Sequence, residues 1–207
     1  QALAAAFATL PREEVRTIAD AVPHVCRESV QTVEDEMEVT QGKLSMGFSC
    51  GSDDMPALLL GNTLFGGSSN SKLFLNVREK LSLCYYASSM YHRQKGIITV
   101  SSGIEFQNYQ RAYDEILSQL AAVQNGELEE WELAGARSTL LNSYATVGDS
   151  QGKLENFYLG QAATGRSETP ADLAQAVMEV SAERICRAMS TVKLDTVYFL
   201  KGKEAQA

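Results

Sequence analysis

The sequence contains only two histidines, His24 and His92, in 207 residues. They are too far apart for one helix to carry an H-E-x-x-H zinc site or its inverse. Cysteine is nearly as scarce. Cys26, Cys50, Cys84 and Cys186 form no C-x-x-C pair and no dense framework. Scattered thiols of this kind read as reduced cysteines of a cytoplasmic protein, not as a disulfide scaffold. Basic residues are the minority, 18 against 26 acidic, which gives a net charge of −8. Nucleic-acid binding needs a basic footprint to displace counterions, so that class of partner is excluded. No apolar run approaches the roughly 18 residues that cross a bilayer, and no membrane partner is expected. No basic stretch precedes residues 2–10, as it would in a signal peptide. The chain opens on Gln1 and not Met, which reads as a fragment or a processed product.

What is present suits a packed globular core: 44% hydrophobic and 21% charged residues. No Gly/Pro-rich linker divides the chain, so residues 1–207 read as one domain. Residues 2–21 suggest two short helical turns broken by Pro11, and 24–36 read as polar and irregular. Leu44, Met46 and Phe48 then alternate with polar or small residues, the pattern of a strand with one buried face. Asp53 or Asp54 can cap a helix running to Phe65, and Gly66-Gly67 breaks it. Leu73, Phe74 and Val77 stripe a second helix. Residues 84–91 and 96–104 form a predicted β-hairpin. Tyr109, Tyr113, Ile116, Leu117 and Leu120 mark the next helix, and Trp131, Leu140 and Tyr144 the one after it. Helices at about 150–163, 170–179 and 182–191 follow, the second opened by Thr169-Pro170. A strand over 194–200 closes the chain. Strands near 37–49, 84–92, 96–103 and 193–200 should form one sheet. The fold class is α+β: a two-layer sandwich, its mostly antiparallel sheet covered on one face by helices.

Two short motifs fail on their context. Gly61 to Ser68 comes within one residue of a phosphate-binding loop, but Gly67 stands where that loop needs Lys, and the segment joins two helices. Gly47-Phe48-Ser49-Cys50-Gly51 fits the nucleophile elbow G-x-S-x-G. It lacks an oxyanion segment upstream, and the only downstream histidine, His92, falls in or beside the hairpin. Both histidines read as solvated loop residues. Cys84 reads as a small core residue, because no base close in sequence lowers its pKa. Trp131 fits the buried stripe of its helix.

A longer motif is far more specific. Leu64-Phe65-Gly66-Gly67, Ser71-Lys72-Leu73-Phe74 and Arg78-Glu79-Lys80-Leu81-Ser82-Leu83-Cys84-Tyr85 follow one another in a single stretch. This stretch resembles the non-catalytic half of the inverted-motif zinc metallopeptidases, the family of pitrilysin, insulin-degrading enzyme and mitochondrial processing peptidase. The family pattern is similar to G-G-x-x-x-S-x-L-F-x-x-x-R-E-x-x-G-L-A-Y, and the Arg-to-Tyr spacing matches at Arg78 and Tyr85. Residues 40–44 and 195–200 also fit the family's flanking strands, most like a bacterial processing-peptidase-like branch. The sequence departs from the pattern at Ser82, where the family has Gly, and at Cys84, where it has Ala.

The resemblance implies a processing-peptidase-like metallohydrolase domain. It assigns substrate binding to Arg78 and Tyr85, as hydrogen-bond donors to peptide carbonyls beside the scissile bond. It puts zinc, the catalytic residues and H-x-x-E-H in a homologous domain upstream, so this chain alone should hold no metal and cleave nothing. Partners would be a peptide substrate, that N-terminal domain and a second subunit. The alternative is a catalytically silent relative that acts as a scaffold or assembly partner. From composition alone, Arg78 would be a surface residue paired with an acid and Tyr85 a half-buried strand aromatic.

Overall fold

The computed structural model describes residues 2–11 and 27–203. His24, Cys26 and the second of the two expected N-terminal helical turns lie outside the described residues. The first turn is α1, Ala2–Ala8, which buries none of its residues.

A five-stranded sheet in the order β1-β5-β2-β4-β3 organises the chain. In β2 (Gly42–Cys50) the alternation holds: Leu44, Met46 and Phe48 are buried, while Lys43, Ser45 and Gly47 lie on the other face. β3 (Cys84–His92) and β4 (Ile97–Ile104) form the expected antiparallel hairpin. Gly96 closes its turn at φ +62°, a conformation that strains any residue with a Cβ. β5 (Val192–Gly202) inserts between β1 and β2 and runs antiparallel to β2.

β1 (Gln31–Met37) corrects the reading of that stretch as irregular, and the strand expected over 37–49 begins only at Gly42, because Met37 belongs to β1 and 38–41 connect the two. Every residue of β1 is exposed, so it carries no burial alternation to betray it. Parallel pairing with β5, from Gln31 opposite Thr196 to Met37 opposite Gly202, makes it a strand. Side chains add to that pairing: the Tyr198 hydroxyl donates to Asp35 at 3.0 Å, and Lys201 lies 3.3 and 3.1 Å from Glu34 and Glu36. The sheet is therefore mostly antiparallel, with one parallel edge.

The helical layer packs on the face that carries Leu44, Met46 and Phe48. α2 (Met55–Asn62) is capped by Asp54, whose carboxylate accepts the Ala57 N–H at 3.3 Å. Arg184 grips the same carboxylate with two hydrogen bonds of 3.0 and 2.9 Å. Burial pushes the Asp54 carboxyl up, but the Arg184 guanidinium and the Ala57 N–H outweigh it and hold the group below its ordinary value. α2 runs on into a π-helical turn, Thr63–Gly67, and after a short loop the chain forms a second π-helical segment, Leu73–Lys80. α3 (Tyr109–Gln124), α4 (Glu130–Ala145), α5 (Gln151–Ala163), α6 (Pro170–Met178) and α7 (Ala182–Met189) follow close to the expected ranges.

One core joins the two layers, with Leu58, Phe65, Leu73, Ile116, Ile185 and Met189 packed with the inward residues of β2, β4 and β5. Phe48 meets Phe65 edge-to-face at 6.3 Å between ring centroids. Trp131 does not belong to this core, contrary to its helical spacing. It is 54% exposed, because the buried stripe of α4 runs through its neighbour Glu132 and through Ala136.

Candidate substrate-binding site

The site begins at Gly66. A Cβ there would stand 2.7 Å from the Ser89 amide nitrogen and 2.6 Å from Leu73, so only glycine lets the turn press against β3. The Ser89 hydroxyl secures this approach by donating to the Asn62 side chain at 2.8 Å. The Leu73–Lys80 segment then runs back toward the start of β3, and Lys72 at its head is anchored below the surface. The Lys72 ammonium lies 3.0 Å from the Glu132 carboxylate, with both side chains buried.

That segment delivers Arg78 to Tyr85. The Arg78 Nε donates to the Tyr85 carbonyl at 3.0 Å, its guanidinium stacks 4.6 Å above the Phe74 ring, and Nη1 lies 3.3 Å from Glu79. These contacts fix the plane of an otherwise flexible side chain. Between them, Ser82 adopts φ +49°, the one positive φ among the described non-glycine residues. The Leu81 and Leu83 amides donate to the Asn76 and Val77 carbonyls and pin the turn on both sides of Ser82.

Tyr85 stands at a bulge. Cys84 pairs with Ile104 and Tyr86 with Gly103, so Tyr85 has no partner of its own on β4. An extra residue in one strand re-aims the side chains around it. Here Tyr85 and Tyr86 both reach solvent, at 61% and 41% exposure. Arg78 and Tyr85 form the ridge between two depressions. One, of about 390 Å³, includes Glu105 and Asn108. The other, of about 570 Å³, is walled by Phe74, Tyr86, Met90 and the Gly66-Gly67 turn.

Sequence reasoning singles out Arg78 and Tyr85, and the fold brings them into contact. It misses Phe74, Tyr86 and Met90 as walls. Their one sequence signal is that Tyr86 and Met90 are large residues on the same face of a strand, a spacing equally common in a core.

The chemistry that the arrangement offers is binding. A guanidinium and a phenol supply donors for carbonyl oxygens, and the neighbouring aromatic and Met side chains offer apolar contact. Burial pushes the Cys84 thiol up, which keeps it protonated. The His92 Nε2 is 3.0 Å from the Thr99 hydroxyl, at the far end of β3. Ser49 is buried within β2, not raised on an elbow. Among the described residues no three His, Cys, Asp or Glu side chains cluster so as to hold a metal ion. The residues of this site do not fit a zinc ion.

The fold is a two-layer α+β domain with a groove beside Arg78 and Tyr85. The chain is a member of the Peptidase M16 inactive domain family, which it matches over residues 2–140. It is 39% identical over 199 residues to a Bacillus subtilis protein named probable inactive metalloprotease YmfF. That match covers 93% of this chain and 47% of the relative, so the chain spans about half of the relative's length. A conserved protein from Enterococcus faecalis V583 superposes with a TM-score of 0.84 at 28% identity, over 96% of this chain and 48% of that one. The peptidase M16 inactive domain from Pseudomonas fluorescens shares the fold at a TM-score of 0.70 and 17% identity, over 86% of this chain and 45% of that one.

Proposed function

We propose that this domain binds and positions an extended peptide for hydrolysis at a zinc site in a homologous N-terminal half of the same protein. Arg78 and Tyr85 would donate hydrogen bonds to carbonyl oxygens beside the scissile bond. The observation that carries the reading is that one groove holds them both: the Arg78 Nε donates to the Tyr85 main-chain carbonyl at 3.0 Å, and both residues line the two adjoining depressions. Donors preset toward developing oxyanion charge need no reorganisation during the reaction, and both stand on regular elements. Zinc and the general base would belong to the other half, which leaves binding and orientation to this one. The proposal covers residues 1–207 as one domain and a cytoplasmic location, the latter supported by the free thiols of Cys50, Cys84 and Cys186.

The test uses the full-length protein. Tyr85→Phe removes one hydroxyl at an exposed position, so thermal stability and bound zinc should stay at wild-type values while kcat falls by about 10²–10³. Arg78→Ala should lose a comparable factor. Unchanged turnover in both variants would end the assignment.

A second reading is a silent scaffold, and the name of the 39%-identical Bacillus subtilis relative favours it. A full-length protein that retains no zinc after dialysis and cleaves no unstructured peptide would decide for the scaffold.

A further inference from the structure

A third depression, of about 650 Å³, lies at the opposite end of β3 from Tyr85. Three distant pieces of chain meet there: the end of β2 with Ser52 and Asp53, the β3–β4 turn with Arg93 and Gln94, and the α5–α6 loop with Thr164 and Arg166. Two arginines and one carboxylate, Asp53, are the charged residues that line it, a positive balance in a protein of net charge −8.

Arg93 is the informative residue. It is half-buried, it stacks 5.8 Å from the Phe157 ring, and it has no carboxylate partner among the described residues. Asp53 lines the same cleft but makes no ion pair with Arg93, so the guanidinium keeps N–H donors free for a ligand. Arg166 reaches only Glu168, at a loose 3.8 Å, with both side chains well exposed. The partly buried Tyr91 lines the same cleft. Burial pushes its phenol up to about 12, and the nearby Arg166 and Arg93 charges pull the other way without reversing this. Tyr91 therefore stays a hydrogen-bond donor, and both arginines lie within electrostatic reach of it.

We propose that this cleft binds a carboxylate of a peptide, held by the Arg93 and Arg166 guanidinium groups. Planar forks of N–H donors match the two oxygens of a carboxylate. The acid that lines the same cleft sets the charge of the ligand. Asp53 repels a phosphate dianion more than a monoanion, and its own oxygens can accept the N–H groups that flank a peptide carboxylate. A peptide offers that carboxylate from an acidic side chain or from its C-terminus. The site does not involve Arg78 or Tyr85, so it stands or falls apart from the role given to them.

NMR titration of this protein tests the proposal with three probes: acetyl-aspartate methylamide for the side chain, acetyl-glycine for the terminus, and inorganic phosphate. One of the carboxylates should shift the Gly96 and Gly165 amides and the Arg93 Nε–H saturably, and the tighter of the two names the source. Phosphate should bind more weakly. Arg93→Gln and Arg166→Gln should each weaken carboxylate binding by at least about tenfold, the loss of one charge-assisted hydrogen bond. Arg93→Lys should restore only part, because it keeps the charge and loses the fork. Unchanged core resonances such as Ile116 will show that each variant is folded. Absence of a saturable shift, preference for phosphate, or equal affinity in Arg93→Gln would each overturn the proposal.

Discussion

Ser82 shows how one residue records both the ancestry and the strain of the site. The related pattern has glycine at this position, and the structure gives the physical reason: the backbone turns through φ +49° between the helix that carries Arg78 and the strand that carries Tyr85. A side chain in the left-handed region costs roughly 1–2 kcal/mol, and glycine gives back about 0.4–1 of that through the entropy of the unfolded chain. Ser82→Gly should therefore stabilise the protein by up to about 1.5 kcal/mol, seen as a higher denaturation midpoint at unchanged slope. Loss of stability would mean that the hydroxyl, and not the backbone, holds the turn. At this scale Arg78 and Tyr85 were picked out by the resemblance to the family pattern, and because they are close in sequence, local structure joins them through one hydrogen bond. Arg93 and Arg166 were not legible. They lie on elements separated by more than 70 positions, and only the folded hairpin and the α5–α6 loop bring them to one cleft.

Elements whose sequence repeats their environment were readable, and those made by long-range pairing were not. β2 alternates because one face is buried, and α3 shows its stripe because Ile116 and Leu120 face the core. β1 has no such pattern: it is a strand because β5, over 150 residues later, offers it an edge. Its exposed, acidic side chains also suit an outer strand, since charge discourages pairing with other chains. The two π-helical segments gave no sequence signal either. Such segments are rare and recur at functional sites, and here both border the groove. Trp131 misled because spacing alone cannot say which of two adjacent stripes is buried. The buried one contains Glu132, which caps α4 by accepting the Glu129 amide at 2.9 Å and pairs with Lys72. Lys72→Met should leave the Glu132 carboxylate buried without its counter-charge, at a cost of about 3–5 kcal/mol. Lys72→Met combined with Glu132→Met should cost far less than the sum of the two single changes. A double-mutant cycle by urea denaturation measures this, and additive costs would show that the pair does not anchor the Arg78-bearing helix.

Among the described residues one hydrophobic cluster joins sheet and helices. Inward residues of β2, β4 and β5 share it with residues from α2, α3, α6 and α7 and from both π-helical segments. The sheet cannot be split without cutting it, because β5, from the end of the chain, lies between β1 and β2, from near its start. A chain wired in this way has no sub-region that keeps its core when another melts, so it should unfold as one unit in spite of its length. Two probes report on different parts. Trp131 fluorescence reads the exposed start of α4, while far-UV circular dichroism averages sheet and helices alike. Their urea transitions should coincide in midpoint and slope, and the calorimetric enthalpy should equal the van't Hoff value. Separate midpoints would mean that the helical run from α4 to α6 forms a unit of its own, and the reading of residues 1–207 as one domain would have to be given up. That outcome would also reach the site. Lys72 and Glu132 join the groove's helix to α4, so independent melting of α4 would loosen the Leu73–Lys80 segment and disperse the pairing of Arg78 with Tyr85 before the sheet itself came apart.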